Sequence, residues 1–99
     1  MRGSAPTKAE KHRFDIIGQI GCIVCKLYLG LFSPCSPHHI DGRTKPGAHK
    51  KTIGLCGQHH QTGGPGVALH ANKYRFEQKF GTELELLGYQ NRLIAEYDG

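Results

Sequence analysis

The chain has 99 residues, a formal charge of +5 with histidine neutral, 37% hydrophobic residues, no tryptophan, four cysteines and seven histidines. A single domain, 1–99, with so little apolar side chain cannot offset its chain entropy by core burial unaided, so a disulfide or metal staple is expected. No apolar run reaches the roughly eighteen residues that a membrane span needs, and Lys8, Glu10, Lys11 and Arg13 interrupt any secretory signal, so a cytoplasmic setting is expected, where paired cysteines mean metal more often than disulfide.

Residues 1–6 read as a flexible tail. Thr7 followed by Glu10 is a capping box, and Phe14, Ile17 and Ile20 at helical spacing predict a helix over 8–20, closed by Gly21. A tight turn carries Cys22-Ile-Val-Cys25, and 30–37, with Pro34 and Pro37, reads as a loop. His38, His39 and Ile40 read as extended, Asp41-Gly42 as a turn, and Pro46-Gly47 as a further break. Thr52 to Leu55 is a short strand delivering Cys56, and 57–61 reads as the first turn of a short helix. A glycine-rich loop over 62–66 follows. Asn72 to Phe80 predicts a helix with Tyr74 or Phe76 and Phe80 inward. Thr82 and Glu85 form a second capping box, ahead of a stripe of Leu86, Tyr89, Leu93, Ile94 and Tyr97 expected in the core.

Chemistry concentrates in two pairs, Cys22-x-x-Cys25 and Cys56-x-x-His59. A two-residue gap lets both side chains of one turn converge on an ion, and two such knuckles complete a tetrahedral zinc site. Structural zinc contributes on the order of 10 kcal/mol directly to folding, which supplies the expected staple. Cys35 stands outside both pairs and is the natural substitute if one ligand is misassigned. His38 and His39 are adjacent, so on a strand they point to opposite faces. His60 follows His59 and diverges from it by about 100° on a helical turn. The net charge favours acidic partners, nucleic acid first, although lysines and arginines spread over 2–13, 43–51 and 73–79 fit a solvated surface equally well.

The ordered set Cys-x-x-Cys, His38-His39-Ile-Asp-Gly-Arg43, His49 and Leu55-Cys-x-x-His59-His60 resembles the HNH, or ββα-metal, endonuclease superfamily. More closely it resembles the phage recombination-enhancement, RecA-dependent nucleases, over about 8–85. The resemblance implies a small, zinc-stapled α+β fold: a ββα-metal core framed by an N-terminal helix and two C-terminal helices. It implies a catalytic magnesium or manganese ion held by His38 and His60, with His39 as the base that activates water. The superfamily's middle asparagine or aspartate is replaced here by His49, either an orienter of the base or a ligand.

His70 and Asp41 compete for the third ligand position. His70 is favoured because Asp41 is already explained as a turn residue. Arg43, beside His38 and His39, is expected on phosphate, where a guanidinium grips two oxygens, with Lys45, Lys50 and Lys51 adding DNA contacts.

The resemblance implies a metal-dependent DNA endonuclease with RecA filaments as its partner, and the lack of an evident base-reading helix predicts that it is largely non-sequence-specific. The competing reading is a non-catalytic zinc module that binds DNA or protein. A single multi-histidine zinc hydrolase is a third, disfavoured because the paired knuckles already saturate one zinc.

Overall fold

A computed structural model describes residues 5–42, 45–64 and 66–98. Helix α1 (Lys8–Ile20) starts where the sequence predicts. Thr7 Oγ1 accepts the Glu10 N–H at 3.2 Å, and Glu10 Oε1 accepts the Thr7 N–H at 2.8 Å. The helix buries Ile16, Ile17 and Ile20 and ends at Gly21, whose φ of 84° favours glycine. The segment after it differs from a simple tight turn. Residues 23–29 are helical and widen over Cys25–Leu29 into a π-type turn. The Lys26 N–H donates to the Cys22 carbonyl at 3.0 Å and the Leu31 N–H to that of Cys25 at 3.2 Å, so the first knuckle propagates as helix.

Strands β1 (Ser36–His39) and β2 (Thr52–Leu55) pair antiparallel, with His38 opposite Ile53 and His39 opposite Thr52. Strand β1 begins inside the expected loop, with Pro37 opposite Gly54. All four residues of β2 are buried, because the ribbon packs against both α1 and the last helix. Gly54 permits a close approach of β2 to its neighbours. A Cβ there would lie 2.7 Å from Cys35 Sγ and 2.9 Å from Ile17 Cγ2. The Cys35 thiol donates to the Ile17 carbonyl at 3.5 Å, and burial pushes its pKa up to about 11, so it is a protonated packing group.

Helix α2 (Lys73–Phe80) is capped by Asn72, whose Oδ1 accepts the Arg75 N–H at 3.1 Å; Phe76 and Phe80 face inward while Tyr74 is exposed. Helix α3 (Glu83–Asp98) opens on the expected capping box, with Thr82 Oγ1 accepting the Glu85 N–H at 3.1 Å. Its buried seam departs from the predicted stripe. Tyr89 and Tyr97 are 49% and 52% exposed, while Glu83, Leu86 and Gln90 are buried. The seam is rotated because two polar residues on it have partners inside. Gln90 does for β2 what a third strand would: its Oε1 accepts the Gly54 N–H at 2.7 Å and its Nε2 donates to the Thr52 carbonyl at 2.6 Å. Arg13 completes this edge, donating from Nη2 to the Thr52 carbonyl at 2.9 Å and from Nη1 to Asn91 Oδ1 at 2.8 Å.

Replacing Gln90 by leucine keeps the volume but leaves the Gly54 N–H without its side-chain partner and the Thr52 carbonyl with Arg13 alone. The expected cost is about 1–3 kcal/mol for the buried N–H left unsatisfied. In a domain of this size, thermal unfolding of Gln90→Leu should show a midpoint lowered by about 5 °C or more; an unchanged midpoint would remove Gln90 from this role.

Candidate metal centres

The two knuckles meet. Cys22 and Cys25 leave α1, Cys56 follows β2, and His59 sits in a wide turn over Gln58–Thr62, so four sequence-distant atoms converge. Nδ1 of His59 lies 3.5 Å from Cys22 Sγ, 3.5 Å from Cys25 Sγ and 3.2 Å from Cys56 Sγ, and the Cys25 and Cys56 sulfurs are 3.8 Å apart. Tetrahedral zinc with Zn–S near 2.3 Å and Zn–N near 2.0 Å requires edges of about 3.8 Å between sulfurs and about 3.5 Å from sulfur to nitrogen. The quartet therefore fits a structural zinc ion in both chemistry and spacing. Burial pushes the Cys22 thiol up to about 12. A bound cation reverses that preference, because it ligates thiolates. His59 is held below the ordinary imidazole range by burial and by Lys79, which keeps the ring neutral as a ligand must be. Cys35 lies outside the quartet.

A second cluster joins His38, His60 and His70, each offering one ring nitrogen within 4.8 Å of the others. Ring centroids are 4.9 Å apart for His38 and His60, 5.4 Å for His38 and His70, and 4.7 Å for His60 and His70; the Nε2 atoms of His60 and His70 are 3.0 Å apart. The backbone explains the convergence. The Leu69 N–H donates to the His59 carbonyl at 2.8 Å and the His70 N–H to that of His60 at 3.1 Å, so the stretch ahead of α2 is zipped onto the turn that carries both histidines. His60 is held below its usual range by burial, then by the neighbouring His38 and His70. A cleft of about 350 Å³ beside the cluster is lined by His38, Ile40, His70, Lys73 and Glu83 among others.

His39, on the other face of β1, meets a different partner. Its Nε2 lies 3.0 Å from His49 Nδ1, and Phe14 packs edge-on against both rings, at centroid distances of 6.1 Å and 5.8 Å. The Thr52 hydroxyl donates to the His49 carbonyl at 3.1 Å, linking this pair to the Arg13 and Gln90 network.

Asp41 is exposed in its turn and pairs with Lys51 at 3.3 Å, apart from the histidine cluster. Lys45 and Lys50 are exposed along the 45–51 segment. Arg43 lies outside the described residues. Glu83 was not legible as a site residue. It is 6% exposed, accepts from His38 Nε2 at 2.7 Å and pairs with Lys73 Nζ at 3.0 Å. Burial would raise its pKa, but the hydrogen bonds from His38 and Lys73 outweigh that and hold it below the ordinary carboxylate range. The spacing Glu83, Leu86, Gln90 along one helix face was the available signal.

Among protein-family models, that of the recombination enhancement, RecA-dependent nucleases matches residues 6–95. The chain belongs to that family. The match spans α1, both strands, both candidate metal clusters and most of α3. Among the described residues, no helix is long and apolar enough to cross a membrane.

Elemental analysis of Cys22→Ser or Cys56→Ser should show loss of zinc with loss of the folded state, and strong chelators should unfold the unmodified chain. Cys35→Ser should keep its zinc; zinc loss on that substitution alone would move Cys35 into the ligand set.

Proposed function

We propose that this chain is a metal-dependent DNA endonuclease of the HNH type, in which the β1–β2 ribbon and the Gln58–Thr62 turn take the part of the superfamily's ββα unit. The observation that carries the reading is the division of labour at two adjacent residues. Strand alternation sends His38 into a three-imidazole cluster and His39 to His49, so a metal ligand and a candidate base are delivered by one element.

His38, His60 and His70 would hold the catalytic ion. When bound, a divalent cation supplies stabilisation of charge on the phosphate and the leaving oxygen. Three imidazoles suit a first-row transition ion better than magnesium, which prefers oxygen ligands and retains its water. Manganese is therefore favoured over magnesium. His39 acts as general base on the attacking water. With Nε2 turned to His49, the incoming proton falls to Nδ1, and His49 keeps the ring oriented and shares the charge that develops. Arg43, Lys45, Lys50 and Lys51 follow His39 along the chain and supply backbone phosphate contacts with little base reading, hence weak sequence preference.

The family description supports recombinase filaments as the setting; the cytoplasm of a bacterial host and a phage role belong to the same proposal. A non-catalytic zinc module would need the Cys3His quartet alone; it leaves the three-histidine cluster and the His39–His49 pair without a purpose. The separation of the two clusters likewise argues against one multi-histidine zinc hydrolase.

Manganese should support nicking of DNA, with or without recombinase filaments, at lower concentration than magnesium. His39→Ala should reduce the cleavage rate by about 10²–10⁴-fold with zinc content and unfolding midpoint preserved. Retention of full cleavage in His39→Ala, or failure of every divalent ion to support cleavage, would contradict the proposal.

A further inference from the structure

The buried carboxylate of Glu83 stands between two groups from different parts of the fold. One oxygen faces His38 Nε2 on β1 at 2.7 Å, and the other faces Lys73 Nζ, the first residue of α2, at 3.0 Å. Glu83 is itself the first residue of α3, so one side chain ties the start of two helices to the strand that carries the histidine pair. Burying a charged carboxylate is unfavourable unless its partners are fixed. Here both oxygens are occupied and the residue is 6% exposed.

The chemistry of this arrangement is directional. An ionised carboxylate only accepts hydrogen bonds, so the nitrogen facing it must carry the hydrogen. In a neutral imidazole the lone pair then resides on the other nitrogen, and the ring can turn neither way without breaking a buried, charge-assisted bond. His38 thus has Nε2 committed to Glu83, which leaves Nδ1 as the nitrogen whose lone pair an ion would need. Lys73 extends the effect. It lies three residues after His70, and its tether to Glu83 holds the start of α2, and the stretch that delivers His70, against β1.

We propose that Glu83 is the positioning residue of the three-histidine centre, fixing the orientation of the His38 ring directly and the placement of His70 through Lys73. The inference rests on the reading of His38, His60 and His70 as a metal centre. It goes beyond that reading by naming a residue that never touches the ion and yet sets its affinity. Carboxylates hydrogen-bonded to a ligating histidine fix its tautomer and raise its basicity, and their loss weakens metal binding by about 10–100-fold.

The test uses the full zinc-loaded chain, with nitrogen-15 NMR of the histidine rings and calorimetric titration of manganese. The unmodified chain should show a slowly exchanging His38 Nε2–H. Glu83→Ala should lose that signal, bind manganese about 10–100-fold more weakly and keep its zinc. Its cleavage should recover at saturating manganese, since a positioning residue raises the metal requirement without altering the reacting groups. Glu83→Gln, which keeps the shape and one acceptor oxygen, should fall between the two and covers the case in which the alanine variant does not fold. Lys73→Ala should leave the His38 signal in place and weaken manganese less than Glu83→Ala, because its ammonium is largely solvated. Unchanged manganese affinity in both Glu83 variants, or a maximal rate that falls while the metal requirement stays the same, would overturn the assignment of Glu83 alone. An unmodified chain that binds no manganese would overturn the metal centre as well.

Discussion

Three sulfurs and one ring nitrogen brought within 4.8 Å of one another, with the nitrogen 3.2–3.5 Å from each sulfur, are the constraint on which the rest of this structure depends. Cys22 and Cys25 are also members of the hydrophobic core, alongside Ile23, Val24, Ile53, Leu55, Phe76 and Leu86, and Cys56 packs against it. In a chain this polar, that core is a thin layer between two helices and a two-stranded ribbon. An ion bound by the quartet cross-links the end of α1 to the end of β2 and to the turn that follows, which is the topology a short ribbon needs to stay registered. It does so where burial disfavours the charged form of the Cys22 thiol, a preference that a bound cation reverses.

The second histidine group depends on the first through a single turn. His59 belongs to the quartet, His60 to the three-imidazole cluster, and the carbonyls of both anchor the backbone that brings His70 alongside. Adjacent residues serving separate centres occur twice, at His59-His60 on the turn and at His38-His39 on the strand. In each case regular backbone geometry does the separating: neighbours diverge on a helical turn and alternate across a strand. Placing these histidines on hydrogen-bonded elements keeps them fixed without a large core around them.

Much of this was legible in the residues because it is local. The Cys-x-x-Cys and Cys-x-x-His spacings, the capping box that starts α1 and the turn role of Asp41 each depend on positions three or four apart. The resemblance carried by His38-His39 and His59-His60 pointed to the family that the chain belongs to. What escaped the reading depends on partners far away in sequence. Helix α3 presents Glu83 and Gln90 to the interior, so its seam is rotated from the one that Tyr89 and Tyr97 suggested. Those two polar residues are stable there only because His38 and the open edge of β2 await them. The helical continuation after Cys25 and the complete burial of β2 are likewise consequences of packing that no local pattern announces.

X-ray absorption at the zinc and manganese edges of chain loaded with both ions tests the account most directly, because it asks whether there are two centres and what each is made of. The account predicts a zinc shell of three sulfurs near 2.3 Å with one nitrogen near 2.0 Å, and a manganese shell of nitrogen and oxygen with no sulfur. A zinc shell lacking sulfur, or sulfur bound to manganese, would contradict it.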